Sequence, residues 1–276
     1  MINIITCQYC NYRSGRDLIP KDAIVALQHK LAEHLPSARL YVISQHAMGW
    51  SDHEIVHLMP HRDDLFDSEW QSLTPYRPDP WGLTGQMLWI DPRVLIMPNA
   101  GSPEFRALLD AEWRATPAHF TRDRETYAVD SAVVAWQTGN EIADRLWLRA
   151  SNGQAQLIPR YRAPRRLIGE VMKANKASSD DHWFPPETII GWRNDVIRHL
   201  SRETERHAAA RDRHRPRYDA YQAAIISMGT DYPPWEYRQL LSTLCYQHYA
   251  MSDRQRAEFT HKQRISTLSP MRVIWR

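Results

Sequence analysis

The first 60 residues alternate between short apolar runs and one stretch of apolar side chains at helical spacing. Residues 2–6 are apolar and rich in β-branched side chains, which is typical of a buried strand. Apolar positions then recur at helical spacing between Pro20 and Pro36, which predicts a helix that ends at the second proline. Residues 40–44 and 55–59 are the next apolar runs. This order of strand, helix and strand predicts a parallel α/β sheet.

The pattern after residue 60 is less regular. Residues 60–85 are rich in Pro, Asp and Trp without clean periodicity, and they predict a long surface loop with short helical turns. An apolar strand is expected over residues 87–90, continued by residues 94–97. The remaining predictions are a helix over 102–114, a strand over 127–136, a helix over 140–149, a basic connection over 160–166 and a helix over 167–177.

The character of the chain changes near residue 200. Residues 201–214 predict a charged helix with little apolar face, and residues 235–249 and 253–264 predict two more helices joined by a tight turn. We therefore expect two units, a domain over 1–200 and a basic helical appendage over 201–276. The appendage fits two roles equally, a lid packed on the first domain and a grip on nucleic acid.

Composition narrows the class of protein. Of the 276 residues, 43% are hydrophobic and 24% are charged, which is ordinary for a globular chain. Three cysteines are too few for a secreted disulfide framework. The apolar runs fall short of the roughly 20 residues that a membrane span requires, and no basic-then-apolar leader opens the sequence. We expect a soluble cytoplasmic protein without a membrane partner, in the host cytoplasm if the chain is viral.

Charge is unevenly distributed along the chain. The net charge is +3, yet residues 201–276 carry 13 basic against 8 acidic side chains, and 12 of the basic ones are arginine. Arginine grips phosphate through paired hydrogen bonds, and aromatic side chains accompany it. This combination favours a nucleic-acid or nucleotide surface. The alternative is that arginine merely solubilises a helical tail.

Four segments together resemble a known family. They are INIIT at residues 2–6, LWIDPRVLI at 88–96, VDSAVVAW at 129–136 and FPPETIIGWR at 184–193. In this order they resemble the nucleotide-sugar-dependent glycosyltransferases of the A-type (GT-A) fold. The resemblance implies a single Rossmann-like mixed sheet, hence an α/β fold over 1–200 with the C-terminal helical appendage. It also implies a hexosyltransferase-like enzyme whose donor is a nucleotide-diphosphate sugar, and a UDP-sugar is the favoured donor.

The resemblance also implies a donor site. Nucleotide-sugar contacts are expected from side chains in the first loop, at the acidic turn and at a late strand end, namely Thr6, Tyr9, Arg13, Asp91, Arg93 and Arg193. Negative charge grows on the leaving diphosphate, so a positive group must await it. In the family, two acids of a D-x-D turn hold Mg²⁺ or Mn²⁺ for this purpose.

This chain departs from the family at the acidic turn. Asp91 matches the first acid and is the candidate metal ligand, but Arg93 stands at the second acidic position. A fixed guanidinium opposes a metal ion. Two readings stay open: Arg93 contacts the diphosphate directly in place of the metal, or Arg93 merely pairs with Asp91 at a degenerate site.

Two carboxylates are candidates for the catalytic base. Asp130 interrupts an apolar strand and must be partnered or line a cavity; it is either an acceptor-side base or half of a structural ion pair. Glu170 follows Gly169 where many relatives carry an acid near the reacting sugar, and it is otherwise a helix-surface acid. Either could take the proton of the acceptor hydroxyl.

The basic tail favours a polyanionic acceptor. The chain therefore looks most like phage-type DNA-modifying glycosyltransferases that act on hydroxymethylated bases, with DNA as partner. Extracting a base from the stack calls for aromatic wedges, and the candidate acceptor contacts are Tyr76, Arg77, Trp81 and Trp192. Two alternatives are a transferase acting on a saccharide or protein, and a non-catalytic nucleic-acid-binding protein on a decayed transferase fold.

Other chemistries find little support in the sequence. Cys7 and Cys10 form a C-x-x-C, but without a second pair they read as packing at a strand end rather than as a zinc site. His53, His57 and His61 recur every four residues, but residues 55–59 alternate like a strand, so a metal site is not expected there. Gly-rich phosphate loops and the G-x-S-x-G elbow of hydrolases are absent from the sequence.

Overall fold

The structure is a computed structural model. It describes residues 1–11, 16–17, 19–46, 49–60, 68–117, 129–152, 154–161, 163–177, 180–185, 187–191 and 223–227. The helices expected over 201–214, 235–249 and 253–264, and the boundary expected near residue 200, lie outside these ranges.

A mixed sheet organises the described part of the chain. Its six strands are β1 (Ile2–Cys7), β4 (Ala38–Ile43), β5 (Val56–Leu58), β6 (Gln86–Ile90), β8 (Trp113–Pro117) and β9 (Val129–Gln137). They lie in the order β5-β4-β1-β6-β9-β8. The first four are mutually parallel, β9 runs antiparallel to β6, and β8 runs antiparallel to β9. The predicted α/β class with a mixed sheet is confirmed.

The order of the parallel strands fixes where ligands can enter. From β1 the chain moves outward to β4 and β5, and it then returns to the other side of β1 to form β6. This is the order of a mononucleotide-binding Rossmann half, and the reversal lies between β1 and β6. A crevice opens at the carboxyl ends of strands where the order reverses. The edge of the sheet with the ends of β1 and β6 is called the switch edge below.

Helices cover the sheet. α1 (Lys21–His34) packs on β4, and α5 (Pro164–Ala174) packs on β9 and on α3 (Glu141–Ser151). α3 begins at Asn140, whose side chain accepts hydrogen bonds from the backbone N–H groups of residues 142 and 143 and so caps the helix. The other helices are α2 (Pro103–Leu109) and α4 (Gln154–Tyr161). The predicted helices over 20–36, 140–149 and 167–177 are confirmed with shifted ends.

A small second sheet corrects one prediction. β7 (Val94–Ile96) does not continue β6, because the chain turns at Pro92 and enters a three-stranded sheet in the order β10-β11-β7. In it β10 (Ile189–Gly191) and β11 (Ile225–Ser227) are parallel, and β11 runs antiparallel to β7. Backbone hydrogen bonds therefore join a piece of the expected C-terminal appendage to the strand that follows Asp91. A two-stranded ribbon, β2 (Cys10–Asn11) with β3 (Arg16–Asp17), follows β1.

Two further predictions from the pattern are wrong in part. The helix expected over 102–114 stops at Leu109, and β8 begins at Trp113. The segment 60–85 contains the predicted short helical turns, Ser68–Tyr76 and Pro80–Gly82, and residues 78, 79, 82 and 84 are exposed, but its first turn lies in the core and not at the surface. Its 3-10 helix Ser68–Tyr76 buries Trp70 and Leu73. A 3-10 helix repeats every three residues, so its apolar positions follow neither the helical nor the strand period.

Within the described residues, no helix has the length and apolar character needed to cross a membrane.

Candidate functional site

A cluster of charged and phenolic side chains lies at the switch edge. Thr6 and Cys7 end β1, and Asp91 directly follows β6. The register pairs Ile5 with Trp89, so the two strands end side by side. The backbone N–H of Asp91 still donates to the carbonyl of Ala132, 2.7 Å away on β9. Asp91 therefore stands at the switch edge, where the strand order predicts a crevice.

A tight turn brings Arg93 back onto Asp91. The Oδ1 atom of Asp91 accepts from the backbone N–H of Arg93 at 2.8 Å and from its Nε at 2.9 Å, while Oδ2 accepts from Nη2 at 2.8 Å. An aspartate before a proline favours this turn, because its side chain accepts from the backbone two residues on. The result is a bidentate ion pair whose carboxylate is 7% exposed.

Tyr9 closes the ion pair from the side of β1. Its phenol donates to Oδ2 of Asp91 at 2.7 Å, and the Arg93 guanidinium lies 5.3 Å from its ring centroid. Tyr9 has a positive φ of 50°, which is uncommon for a bulky residue and marks strain held by its surroundings. Burial, and next the charge of Asp91, raise the pKa of Tyr9 well above its ordinary value. The phenol therefore stays a neutral donor.

Glu69 completes the cluster and is not among the site residues predicted from the sequence. One of its carboxylate oxygens accepts from Nη1 of Arg93 at 2.6 Å, and its side chain is 38% exposed. Burial by itself lowers the pKa of Arg93, but the neighbouring acids, above all Asp91, outweigh burial and raise it. No local signal marks Glu69, because it lies in a stretch without periodicity, 24 residues before Arg93. Tyr9, Glu69, Asp91 and Arg93 are called the switch cluster below.

The switch cluster does not fit a divalent metal ion. A carboxylate offers about four acceptor positions, and Asp91 already uses four of them on Arg93 and Tyr9. A guanidinium directly beside the carboxylate also repels a cation. In the part of the chain that the structure describes, no group of three or more His, Cys, Asp or Glu side chains could hold a metal. The geometry matches the pairing of Arg93 with Asp91 that the sequence left open.

Asp130 lies at the same edge of the sheet. It is the second residue of β9, and because β9 is antiparallel to β6 it stands beside the end of that strand. Its Oδ1 accepts from the backbone N–H of Ala132 at 3.0 Å, and its Oδ2 accepts from the hydroxyl of Ser227 at 3.1 Å. Ser227, which belongs to β11, was not foreseen because 97 residues separate it from Asp130.

Two buried side-chain oxygens near the end of β1 have no partner among the described residues. They are Oγ1 of Thr6 and Oε1 of Gln8. The amide nitrogen of Gln8 donates to the carbonyl of Ile19 at 3.1 Å, which holds its side chain in place. A buried polar atom without a partner costs free energy. A bound molecule that donates to these oxygens would recover that cost.

Glu170 lies in a separate cluster on the helices. Its carboxylate accepts from the phenol of Tyr161 at 2.6 Å and from Arg149, and Arg160 lies 3.4 Å away. Among the described residues, each of these partners belongs to α3 or α4. Burial, and then the hydrogen bond to Glu170, raise the pKa of Tyr161. The carboxylate ties three helices together, and none of its contacts reaches the switch cluster.

Tyr76, one of the predicted acceptor contacts, lies away from Asp91. Tyr76 is a core side chain whose ring centroid lies 4.7 Å from that of Trp136. Trp136 pairs with Met87 near the start of β6, four residues from Asp91, which is about 13 Å along a strand. Tyr76 is therefore a core residue and not the wedge that was predicted. Burial of its aromatic ring stabilises the fold more than an exposed position would.

Of the other predicted acceptor contacts, the structure describes Arg77 and Trp81. Arg77 stacks on Trp147 of α3 with 5.7 Å between its guanidinium carbon and the ring centroid, and the indole of Trp81 donates to the carbonyl of Met59 at 2.9 Å. Three predicted site residues, Arg13, Trp192 and Arg193, lie outside the described residues.

A cavity of about 660 Å³ lies elsewhere on the sheet. It is lined by Gln28, Trp50 and the residues that begin β4 and β5. These are the amino ends of the parallel strands, whereas ligands of open α/β sheets bind at the carboxyl ends. This cavity is not part of the candidate site.

The buried ion pair makes a prediction about stability. Replacing Arg93 with Met leaves the Asp91 carboxylate buried beside no cation, so we expect a loss of about 3–5 kcal/mol in the free energy of unfolding. Tyr9→Phe removes one hydrogen bond to a charged group and should cost about 1–3 kcal/mol. Glu69→Gln removes the charge of the more exposed carboxylate on Arg93 and should cost less than about 1 kcal/mol. Urea unfolding followed by circular dichroism measures all three. Equal losses for Arg93→Met and Glu69→Gln would contradict the burial of the pair.

Comparison with known proteins leaves the family open. No protein-family model and no curated protein matches the sequence. Among solved structures, the galactosyltransferase LgtC in complex with donor and acceptor sugar analogs is 11% identical, with 88% of this chain and 95% of that chain covered and a TM-score of 0.48. A glycosyltransferase involved in the glycosylation of the major capsid of PBCV-1 is 12% identical, with 88% and 98% covered and a TM-score of 0.41. At these values the likeness decides neither family nor function, which have to follow from the chain's own strands and side chains.

Proposed function

We propose that this chain transfers a sugar from a nucleotide-diphosphate sugar to a hydroxyl acceptor. The favoured donor is a UDP-sugar. The observation that carries the proposal is the switch cluster itself. A buried acid, a guanidinium and a strained tyrosine meet at the reversal of strand order, which is where open α/β sheets bind nucleotides. Strain and buried charge of this kind concentrate at functional sites.

Arg93 supplies the positive charge that the leaving group requires. Three of its five N–H donors are used by the side chains of Asp91 and Glu69. The two that remain, one on each terminal nitrogen, have no partner among the described residues and are available to phosphate oxygens. Because Asp91 holds the guanidinium rigid, it needs no reorganisation as charge develops on the diphosphate. The donor is therefore bound without a divalent metal ion.

Asp130 is the proposed base. In the reaction a bond forms between the acceptor oxygen and the anomeric carbon, the bond from that carbon to the diphosphate breaks, and the acceptor proton passes to the carboxylate. Asp130 lies on the neighbouring strand, two residues before Ala132, whose carbonyl accepts from the backbone N–H of Asp91, and the Ser227 hydroxyl orients its Oδ2 atom. The alternative base, Glu170, is engaged by two arginines and a phenol on the helices, and none of these contacts belongs to the switch cluster.

The proposed acceptor is a hydroxymethylated base in DNA. Its support is the arginine content of residues 201–276, with a net charge of +5, since phosphate contacts dominate affinity for nucleic acid. A saccharide or protein acceptor would use the same donor chemistry and would not need this charge.

A second candidate is a non-catalytic binding protein, which the saturated Asp91 favours. All four acceptor positions of its carboxylate are used within the chain, as would suit a site that has lost its chemistry. Such a protein would bind a ligand at the switch edge or along its basic tail without turning it over.

Donor binding is tested by thermal shift with a panel of nucleotide-diphosphate sugars. We expect one of them to raise the melting temperature, because a ligand bound only by the folded state stabilises it. The shift should be equal with Mn²⁺ and with a chelator. Arg93→Gln should abolish the shift, whereas Arg145→Gln, which removes an exposed arginine paired with Glu141 on α3, should keep it. A shift that requires Mn²⁺ would contradict the role given to Arg93.

Catalysis is tested with Asp130→Asn. Loss of a general base typically costs about 10²–10⁴-fold in rate, so release of nucleoside diphosphate from the donor should fall by that factor while the donor dissociation constant stays within about twofold. The matched variant Glu170→Gln should change the rate by less than about tenfold. If the wild type binds donor but releases no diphosphate with any acceptor, the binding-protein candidate replaces the enzyme.

The acceptor is tested by salt titration of binding to duplex DNA that carries hydroxymethylated cytosine. Because each neutralised phosphate releases a counterion, log K should fall linearly with log salt concentration, with a slope of about −0.9 per phosphate contact. We expect a slope steeper than about −3, measured by fluorescence anisotropy. A slope near zero, or equal transfer to a simple saccharide, would favour the saccharide acceptor.

A further inference from the structure

The two acids on Arg93 differ in how firmly they are held. Asp91 is 7% exposed and binds through Nε and Nη2 at once, with its backbone fixed in a turn. Glu69 is 38% exposed and binds through a single oxygen on Nη1. A bidentate buried pair resists exchange, whereas a half-exposed single contact is worth little against water and competing anions.

The backbone beneath Glu69 is anchored independently of its carboxylate. Gln71 is buried and accepts a hydrogen bond from the Cys7 thiol at 3.1 Å, and the Ser72 hydroxyl donates to the carbonyl of Glu69 at 2.7 Å. The 3-10 helix is thus fastened to the end of β1 by side chains other than that of Glu69. The Glu69 carboxylate can leave Arg93 by side-chain rotation, without unfolding of the helix.

Charge counting shows the effect of that carboxylate on an incoming anion. With Tyr9 neutral, the switch cluster carries one positive charge on Arg93 and two negative charges, on Asp91 and Glu69. Its formal net charge is −1, which repels a diphosphate. When Glu69 leaves, the acid–guanidinium pair that remains is neutral and the Nη1 hydrogen that Glu69 held becomes available.

We propose that Glu69 is a built-in competitor of the donor: its carboxylate occupies the position on Nη1 of Arg93 that a phosphate oxygen of the donor takes. Donor binding exchanges one anion for another on the same guanidinium, and the buried charge of Arg93 is compensated before and after the exchange. This inference rests on the proposed function, since it requires a diphosphate at the switch edge.

The inference is tested by calorimetric titration of the full chain with UDP, GDP, ADP, CDP and dTDP, and the tightest of the five is then used for the variants. Glu69→Gln keeps the size of the side chain and removes its charge. We expect this variant to bind about three- to tenfold more tightly than the wild type, a range set by a half-exposed charge near the ligand. Glu141→Gln removes the charge of another exposed, arginine-paired glutamate on α3 and should bind as the wild type does.

The results separate the inference from the proposed function. If the wild type binds the nucleotide and Glu69→Gln binds it equally or more weakly, Glu69 is not a competitor but a support for Arg93. This result overturns the inference and leaves the proposed donor site intact. Absence of binding in the wild type and in Glu69→Gln, both shown to be folded by circular dichroism, overturns the donor site and with it the competitor. Glu69→Ala serves as a second variant, for which the same tightening is expected.

Discussion

The structure around the switch edge depends on the burial of one ion pair. The Asp91 carboxylate is almost fully removed from water, and an isolated carboxylate in such a place would cost several kcal/mol. Arg93 returns to it through the turn at Pro92, so the compensating charge comes from only two residues away. The pair is stable because each acceptor position of the carboxylate is used.

The rest of the site follows from satisfying that pair. Tyr9 adopts a left-handed backbone so that its phenol can reach Asp91, and the 3-10 helix crosses the end of β1 so that Glu69 can reach the far side of Arg93. The guanidinium is thereby fixed in place and orientation before any ligand arrives. A preorganised cation of this kind can do the electrostatic task of a metal ion, with the difference that it carries one charge and is covalently bound to the chain.

The hydrophobic pattern predicts some elements well and others poorly, for a physical reason. β1, β6 and α1 have patterns that local sterics and burial both favour, and they form as the sequence indicates. β8 and β7 do not, because each is a short apolar segment that can extend a neighbouring helix or strand as readily as begin a new one. Whether they form strands of their own depends on their partners: β8 pairs with β9, and β7 pairs with β11. Pairing between segments more than ten residues apart is not visible in a local window of sequence.

The candidate site shows the same division. The sequence by itself determined that a strand ends in an acid at Asp91, that Arg93 breaks the expected pair of acids, that Tyr9 lies in the loop after the first apolar strand, and that Asp130 interrupts a later one. Only the tertiary structure decided that Tyr9 binds Asp91 across 82 residues, that Glu69 shares Arg93, and that Ser227 holds Asp130. The reason is that strand order, not position along the chain, sets which ends meet at one edge of a sheet, and strand order is a property of the whole fold.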